Sequence, residues 1–493
     1  MPESNPYALH ATFVIVYLVV LIGVGAMKAL KIKSQEDFSL AGRGLPTFVL
    51  VGTLVATWIG TGSIFGNAGK THGIGVPALL LPIGGLLGVI AIYFLAKRIR
   101  DFGQFTIQDI LEARFGPGAR VLATLALLGA YIIIVSYQYR AGSAVVVRVF
   151  PSLDEAQAIY CVAAFVIAYT ALAGMFSVAY TDVANGVMMT IGIGCAIPYM
   201  LDAAGGWSGA IAELPDGHRN ITDYWTMATF MGATLPVFLL LLGDANMYQR
   251  FFSAKDSGAA RRSAVWMFIG VLVLEVAIIV IAILASSLVS QGLLEAPSNR
   301  GHIILAAAFD ILPPFLGAMV VATIVAVVVS TADSYLLAPS TSIVRDIYQR
   351  FINPEAGGMQ VVVLGRVVVV VIGLLALVLA FMSDSFFDVA LFSYTIYGAS
   401  ITPALLAAFF WKRATSRGAV ASIATGGLAA LYWQSVDYFG GQEAEWALAT
   451  QEFLGADIAG LDAVLIAFPL SVLALVVVSL LTEAPSEEQA NAI

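Results

Sequence analysis

Charged side chains are scarce in this sequence of 493 residues. Asp, Glu, Lys and Arg together account for 11% of the chain, whereas a typical soluble domain contains about 25%. Hydrophobic residues, in contrast, make up 60% of the chain. The shortage of charge therefore predicts that lipid, rather than water, surrounds much of the folded protein.

An excess of positive charge is also lacking. The 24 Lys and Arg residues are outnumbered by 32 Asp and Glu residues, which gives a formal net charge of −8. Proteins that bind nucleic acid usually carry a basic patch or stripe. The composition therefore argues against a nucleic-acid partner.

Residues that hold metals or carry out catalysis are few. The two cysteines, Cys161 and Cys195, have no metal-ligand spacing and are interpreted as small buried hydrophobic residues. The four histidines lie near the ends of apolar segments or in loops, and the sequence contains no HExxH or GxSxG motif. We therefore expect neither an enzyme nor an organic cofactor.

Apolar runs of roughly twenty residues, which suffice to cross about 30 Å of hydrocarbon, recur along the whole chain. The first run has neither a basic segment before it nor a clear cleavage site, so we interpret it as a retained span. The fold class predicted is an all-α polytopic membrane protein. We place thirteen spans near residues 9–28, 46–69, 76–96, 120–147, 157–174, 177–202, 226–248, 262–288, 314–343, 361–381, 386–410, 418–436 and 460–481.

The orientation in the membrane is predicted from the basic residues. Most of the 24 fall in turns on one side, among them Lys28, Lys31, Arg98, Arg250 and Arg345. Because basic loops stay in the cytoplasm, we expect a cytoplasmic-membrane protein with its N-terminus outside and its C-terminus inside. Residues 105–115 (FTIQDILEARF) predict a short amphipathic helix at the inner surface, and the polar tail at 483–493 is predicted to be disordered.

Two predicted spans contain residues that interrupt helices. The second span reads VATWIGTGSIFGNAG, and the seventh reads TLPVFLLLLGDANMYQRFF. Glycine disfavours a helix by about 1 kcal/mol relative to alanine, and unwound backbone in a bilayer must be buried in protein or line a wet cavity. Close packing through small residues is the alternative interpretation. Paired interruptions five spans apart, however, are typical of an inverted-repeat transporter with a central binding site.

Acidic residues inside the predicted spans are a second unusual feature, because a charge there costs at least about 2.5–3.5 kcal/mol and usually marks a pathway or a paired site. The candidates are Asp182, Asp244, Glu275 and Asp333. Glu275 is isolated, and pairing with a polar group on a neighbouring helix is the simpler explanation for it. Asp182 lies near the end of its span, where capping or an internal pair is the alternative.

Asp333 has the most polar surroundings of the four acids. Ser330 and Ser334 lie on its face of the predicted helix, and Thr331 borders that face. Ligands that offer only oxygen suit hard cations such as Na⁺. Hydrogen bonding of each hydroxyl to its own helix explains one serine or threonine, but explains four polar groups in five positions poorly.

Four stretches of the chain resemble the sodium/solute symporter family, and their sequences are most similar to those of its choline-carrier branch. They are ATWIGTGSIFG (56–66), GMFSVAYTDVANG (174–186), MYQRFFSAKD (247–256) and STADSYLLAPSTSIVRDIYQ (330–349). The resemblance implies the leucine-transporter type of fold, with two inverted five-helix repeats whose first helices are broken. It also implies a leading helix and inner loop at 1–45, repeats at 46–205 and 206–410, and two additional helices at 411–482.

The resemblance further implies a sodium site. Its ligands, carried over position by position, are the backbone carbonyls of Ala56, Ile59 and Val327 and the hydroxyls of Ser330 and Thr331. Some family members have a second sodium site, and its positions here include Asp182, Asp333 and Ser334. Other members have serine at position 333, so sodium and a proton remain alternatives for the extra carboxylate.

The substrate positions match the family less completely. Choline carriers surround the ammonium group with aromatic rings, and Trp58 matches one wall of such a cage. Asp244 suits an amino group, whereas Arg140 suits a carboxylate unless it extends to the membrane surface. The predicted substrate residues are Trp58, Gly60, Ser63, Phe65, Gln138, Arg140, Asp244 and Tyr394.

We therefore predict a secondary transporter that couples sodium entry to uptake of a small polar organic solute by alternating access. An amino acid or other zwitterion, a quaternary amine and a carboxylate remain open as solutes. A proton-coupled carrier of the same fold and a transporter-like membrane sensor are the alternative functions. The partners expected are the solute, sodium ions and the lipid bilayer, and the sequence does not indicate an oligomeric state.

Overall fold

The computed structural model describes residues 7–29, 32–381, 386–455, 458 and 460–493. Helices form nearly all the regular structure of these residues, with one isolated β-bridge between Leu45 and Ala254. The α-helices up to the first long loop are α1 (Ala8–Ala29), α2 (Gln35–Leu40), α3 (Thr47–Trp58), α4 (Ala68–Ile74), α5 (Ile83–Phe102), α6 (Ile107–Phe115), α7 (Pro117–Val149), α8 (Glu155–Ala203) and α9 (Gly206–Ala212).

The second half of the chain is helical as well. Its α-helices are α10 (Met227–Gly243), α11 (Ala245–Ser253), α12 (Ser257–Ser290), α13 (Ile303–Asp310), α14 (Pro314–Ser342), α15 (Gly358–Leu379), α16 (Phe386–Phe410), α17 (Ser416–Gly440), α18 (Glu445–Leu454), α19 (Ala463–Leu481) and α20 (Glu487–Ala490). Two π-helical segments, Gly62–Asn67 and Ile343–Ile352, continue the chain into α4 and beyond α14, respectively. The predicted all-α class is therefore confirmed.

Both predicted helix breaks are present. The first lies between α3 and the π-helix Gly62–Asn67, where the chain bends by 45°. Ile59 begins this break with a non-helical ψ of 85°. The second break lies between α10 and α11, where Asp244 has an extended conformation with ψ of 114°. Each break exposes helix-end backbone groups in the interior of the bundle.

The number of spans differs from the sequence estimate. Among the described residues, ten helices are long and apolar enough to cross a membrane, and the bent pair at the first break makes eleven. The thirteen predicted spans are not reached for two reasons. The predicted spans 157–174 and 177–202 lie within the single helix α8, which has 49 residues. The predicted span 418–436 lies in α17, which is absent from the set that is sufficiently apolar.

Gly174 divides α8 into two segments. Its φ of 61° and ψ of 171° are not helical and belong to a region that essentially only glycine occupies. An unbroken helix of 49 residues would extend about 74 Å, more than twice the hydrocarbon thickness. The kink at Gly174 therefore interrupts α8 between the two spans that the sequence predicts.

Replacement of Gly174 by alanine should lower the melting temperature of the detergent-purified protein. The new residue would adopt a conformation that costs about 1–3 kcal/mol, and its Cβ would lie 2.8 Å from Phe38 Cδ2. Gly194→Ala is the matched control, because Gly194 lies in the same helix and no heavy atom lies within 4 Å of its added Cβ. Equal melting temperatures for the two variants would contradict this role of Gly174.

The helix α14 lies at the centre of the bundle. It packs against α1, α7, α8 and α15, and every residue from 320 to 342 is buried. A helix that is buried on all sides belongs to the interior rather than to a lipid-facing layer. The polar side chains of α14 therefore face other helices.

Several further expectations can be compared with the structure. The predicted helix at 105–115 is present as α6, which is capped by Thr106. The prediction that the cysteines are buried is wrong. Cys161 and Cys195 are both exposed, as apolar side chains on a lipid-facing surface can be. The tail expected to be disordered contains α20, and Lys412 Nζ donates a hydrogen bond to Asn491. The side chains of Lys28 and Lys31, used for the orientation, lie outside the described residues.

Candidate functional site

The first helix break meets α14 at the residues predicted to bind sodium. Ser330 Oγ lies 3.2 Å from the carbonyl oxygens of both Ala56 and Val327. Ile59, at the break itself, is fully buried, and so are the other two backbone positions. The structure thus brings one hydroxyl of α14 against the last turn of α3.

Thr331 supplies the second hydroxyl at this position. Its Oγ1 is buried and has no hydrogen-bond partner among the described residues. A Cβ built on Gly60 would lie only 2.9 Å from this oxygen, so the hydroxyl faces the unwound backbone after Ile59. A buried hydroxyl without a partner costs about 1–3 kcal/mol. A hard cation bound by the surrounding oxygens would remove that cost, so the donor set fits Na⁺.

The region predicted as a second cation site contains a cation of the protein itself. The guanidinium of Arg250, on α11, lies 3.3 Å from Asp182 Oδ2 and donates a hydrogen bond of 2.7 Å to Ser334 Oγ. Its Nε donates to Thr53 Oγ1, which in turn donates to Asp182 at 2.6 Å. Sequence reasoning assigned Arg250 to an inner loop, although its motif MYQRFFSAKD directly follows the second break.

The charges in this cluster do not cancel. Asp182, Asp333 and Arg250 are all buried, so two carboxylates share one guanidinium. Ser334 Oγ lies 3.3 Å from Asp333 Oδ1, but Asp182 Oδ1 has no partner among the described residues. When both carboxylates are ionised, the cluster therefore carries one negative charge that Arg250 does not compensate.

A cavity opens beside the first break. About 50 Å³ of it is space that the centre of a water molecule can occupy, and part of the cavity is open to solvent. Four of the predicted substrate residues line it: Trp58, Gly60, Ser63 and Tyr394. Thr331 lines it as well, so the cavity and the predicted sodium position are adjacent.

Three other predicted substrate residues lie elsewhere. Gln138 accepts a hydrogen bond from Thr61 and is fully buried. Arg140 lies 3.3 Å from Glu155 and lines a different cavity. Phe65 packs against Phe386, with ring centroids 5.1 Å apart.

Asp244, the remaining predicted substrate residue, lies at the second helix break. Its Oδ1 accepts hydrogen bonds from the hydroxyl of Tyr131 at 2.8 Å and from the backbone N–H of Asn246 at 2.6 Å. Its Oδ2 accepts a bond from Tyr335 at 3.1 Å. Asp244 is therefore the N-cap of α11 and is surrounded by neutral donors, outside the cavity that contains Trp58.

Among the described residues that line the Trp58 cavity, Glu275 is the charged one. It lies in the middle of α12, and only 3% of it is exposed. Its Oε1 accepts a hydrogen bond of 2.6 Å from Ser63, and its Oε2 accepts one of 3.1 Å from Asn67. Both donors belong to the π-helical segment after the first break. The contacts agree with the expected pairing to a neighbouring helix, and they also place the carboxylate at the cavity.

Comparison with known proteins gives a consistent result. The sequence model described as the sodium:solute symporter family matches residues 38–426. The high-affinity proline transporter PutP of Bacillus subtilis is 26% identical over 95% of this chain and 97% of its own length. The high-affinity choline transporter 1 of Drosophila melanogaster is 26% identical over 83% of this chain and 68% of its own length.

The solved structure of a Na⁺-coupled sialic acid symporter superposes with a TM-score of 0.81, at 19% identity, and covers 97% of this chain and 99% of that one. This similarity supports the predicted transporter fold with its two broken helices. The family match covers well over half of the chain. The protein is therefore a sodium-coupled symporter of a small solute rather than an enzyme, and it belongs to the sodium:solute symporter family.

Proposed function

We propose that sodium binds where α14 meets the first helix break. Its ligands would be the carbonyls of Ala56, Ile59 and Val327 with the hydroxyls of Ser330 and Thr331. The observation that supports this most directly is the buried Thr331 hydroxyl, which has no partner among the described residues. Sodium at this position would link α14 to the broken helix.

The solute would bind in the adjacent cavity lined by Trp58, Ser63 and Tyr394. Gly60 and Thr331 border both this cavity and the proposed ion position. An ion that orders the break would therefore also order one wall of the solute site. Thermodynamic linkage then requires that sodium raise the affinity for solute and that solute raise the affinity for sodium by the same factor.

Transport would follow from alternating access. Sodium binding would favour the form in which the cavity is open to the outside, and solute binding between the two breaks would permit closure and inward release. We place the protein in the cytoplasmic membrane, with the N-terminus outside and the C-terminus in the cytoplasm. The proposed repeats span 46–205 and 206–410, preceded by 1–45 and followed by 411–482 and the tail at 483–493.

The cluster of Asp182, Asp333 and Ser334 is the candidate position for a second cation. Arg250 neutralises one of the two carboxylates. Sodium or a proton would neutralise the other, so coupling to a proton is the alternative to coupling to a second sodium ion. The two ions differ in what drives uptake, which makes them separable by experiment.

The test is solute uptake into proteoliposomes that contain the purified protein, with radiolabelled choline and proline as probes. An inward sodium gradient at equal pH should raise the initial rate about tenfold or more over a potassium gradient. An inward proton gradient without sodium should leave the rate at the potassium value. Binding of radioactive sodium to the detergent-solubilised protein serves as a readout that does not depend on the solute. Absence of sodium binding, or uptake driven by the proton gradient alone, would contradict the proposal.

A further inference from the structure

We propose that Glu275 is the counter-charge for an ammonium group, and that the solutes of this symporter are small molecules that carry one. This inference rests on the proposed solute site in the Trp58 cavity and names its substrate class. It assigns a binding role to a residue for which the sequence alone favoured a structural explanation.

The first argument is the charge of the cavity. Among the described residues that line it, Glu275 is acidic and no Lys, Arg or His is present. The hydrogen-bond donors to Glu275, Ser63 and Asn67, are neutral, and no ion pair within the described part of the chain involves this carboxylate. Removing a charge from water costs several kcal/mol unless a partner compensates it. A cationic group of the solute would provide that compensation.

The second argument is the hydrogen-bonding capacity that remains. Each carboxylate oxygen can accept about two hydrogen bonds. Ser63 uses one position on Oε1, and Asn67 uses one on Oε2. One position on each oxygen is left for N–H groups of the solute, while the two existing bonds hold the carboxylate in place.

The third argument is the aromatic side chain in the same cavity. A cation over the face of a tryptophan ring gains about 0.5–2 kcal/mol, depending on how far it is removed from water. The ring of Trp58 packs closely on Gly85, where an added Cβ would lie 2.7 Å from Trp58 Cζ2. The absence of a side chain at Gly85 thus gives the ring its position at the cavity, and a quaternary ammonium could use the ring and the carboxylate together.

The competing substrate class, solutes with a carboxylate as their only charge, would leave Glu275 in this cavity without a counter-charge. Arg140, the residue that would suit them, pairs with Glu155 and lines another cavity. Asp244, the other acid considered for an amino group, caps α11 and lies outside the cavity. A zwitterion remains compatible, because the proposed sodium ion near Thr331 would attract its carboxylate while Glu275 binds its ammonium group.

The experiment is equilibrium binding at saturating sodium, with a panel of ammonium solutes (choline, ethanolamine, betaine and proline) and pyruvate as the anion without an ammonium group. The wild-type protein should bind at least one ammonium solute and should not bind pyruvate. Glu275→Gln keeps the shape of the side chain but removes its charge, so the affinity for the bound solute should fall at least about 50-fold. Glu295→Gln, which changes an exposed carboxylate outside the cavity, is the matched control and should bind as the wild type does.

Two measurements keep the inference testable if Glu275→Gln does not fold. The neutral carbon isostere of choline, in which carbon replaces the charged nitrogen, should bind wild-type protein at least about tenfold more weakly than choline. Trp58→Leu should weaken ammonium binding while radioactive sodium still binds. Equal binding of the solute to wild type and Glu275→Gln would overturn the inference. Binding of pyruvate alone, or of no ammonium solute while sodium still binds, would also overturn it and leave the proposed sodium site intact.

Discussion

Replacement of Arg250 by methionine should destabilise the protein more than any other single change considered. The substitution leaves Asp182 and Asp333 buried together without a counter-charge, and it removes hydrogen bonds to Ser334 and Thr53. Removing one partner of a buried ion pair typically costs about 3–5 kcal/mol. The measurements are the yield of monodisperse protein after size-exclusion chromatography and the melting temperature in detergent.

Second-site changes should restore much of this loss. In Arg250→Met with Asp182→Asn, one of the two uncompensated charges is gone, and adding Asp333→Ser removes the other. The melting temperature should therefore rise stepwise from the single to the triple variant. Arg250→Lys should fall between wild type and Arg250→Met, because an ammonium keeps the charge but cannot reach Asp182, Ser334 and Thr53 as the branched guanidinium does. If the triple variant melts no higher than Arg250→Met, charge is not what makes Arg250 necessary.

The helix breaks were predictable because they depend on the residues at the break itself. Glycine, and aspartate next to glycine, change the preferences of the backbone wherever they occur, so the interruptions near Ile59 and Asp244 could be found without knowing the fold. The polar face of α14 was predictable for the same reason, since helical periodicity alone brings Ser330 and Ser334 together.

The partners across helices were not predictable in this way. Glu275 and Ser63 are separated by 212 positions, and Arg250 and Ser334 by 84. Periodicity shows which face of a helix is polar, but not which helix packs against it. Glu275 looked isolated in a run of aliphatic residues because its hydrogen-bond donors lie on a distant segment. Arg250 was counted as a loop residue because a basic side chain near a span end usually is one.

The span count depended on a single backbone conformation and on the composition of one helix. Gly174 adopts a positive φ inside α8, so the helix is kinked at this one residue. The sequence around it reads as two spans, whereas the element order contains one helix of 49 residues. For α17, small and polar residues reduce the apolar character below that of the other spans. Neither effect changes the central arrangement of broken helices and α14.

Replacement of Thr331 by valine should separate sodium binding from stability. Valine has the shape of threonine but no hydroxyl, and the hydroxyl it removes has no partner among the described residues. Without sodium, the melting temperature should therefore stay equal to that of wild type or rise, since a buried unsatisfied group is lost. Sodium should raise the melting temperature of wild type by mass action, because it would bind the folded state and not the unfolded chain.

The sodium-dependent part of that shift should largely disappear in Thr331→Val, and the concentration of sodium that half-saturates solute uptake should rise at least about tenfold, which corresponds to about 1.4 kcal/mol. Thr331→Ser retains the hydroxyl and should retain most of the effect. Thr323→Val is the matched control, because Thr323 is buried on the same helix and, among the described residues, its hydroxyl donates to the carbonyls of Met188 and Met319. It should lower stability while leaving the response to sodium unchanged. A full sodium response in Thr331→Val would place the coupling ion elsewhere, and the acidic cluster beside Arg250 would then be the next position to test.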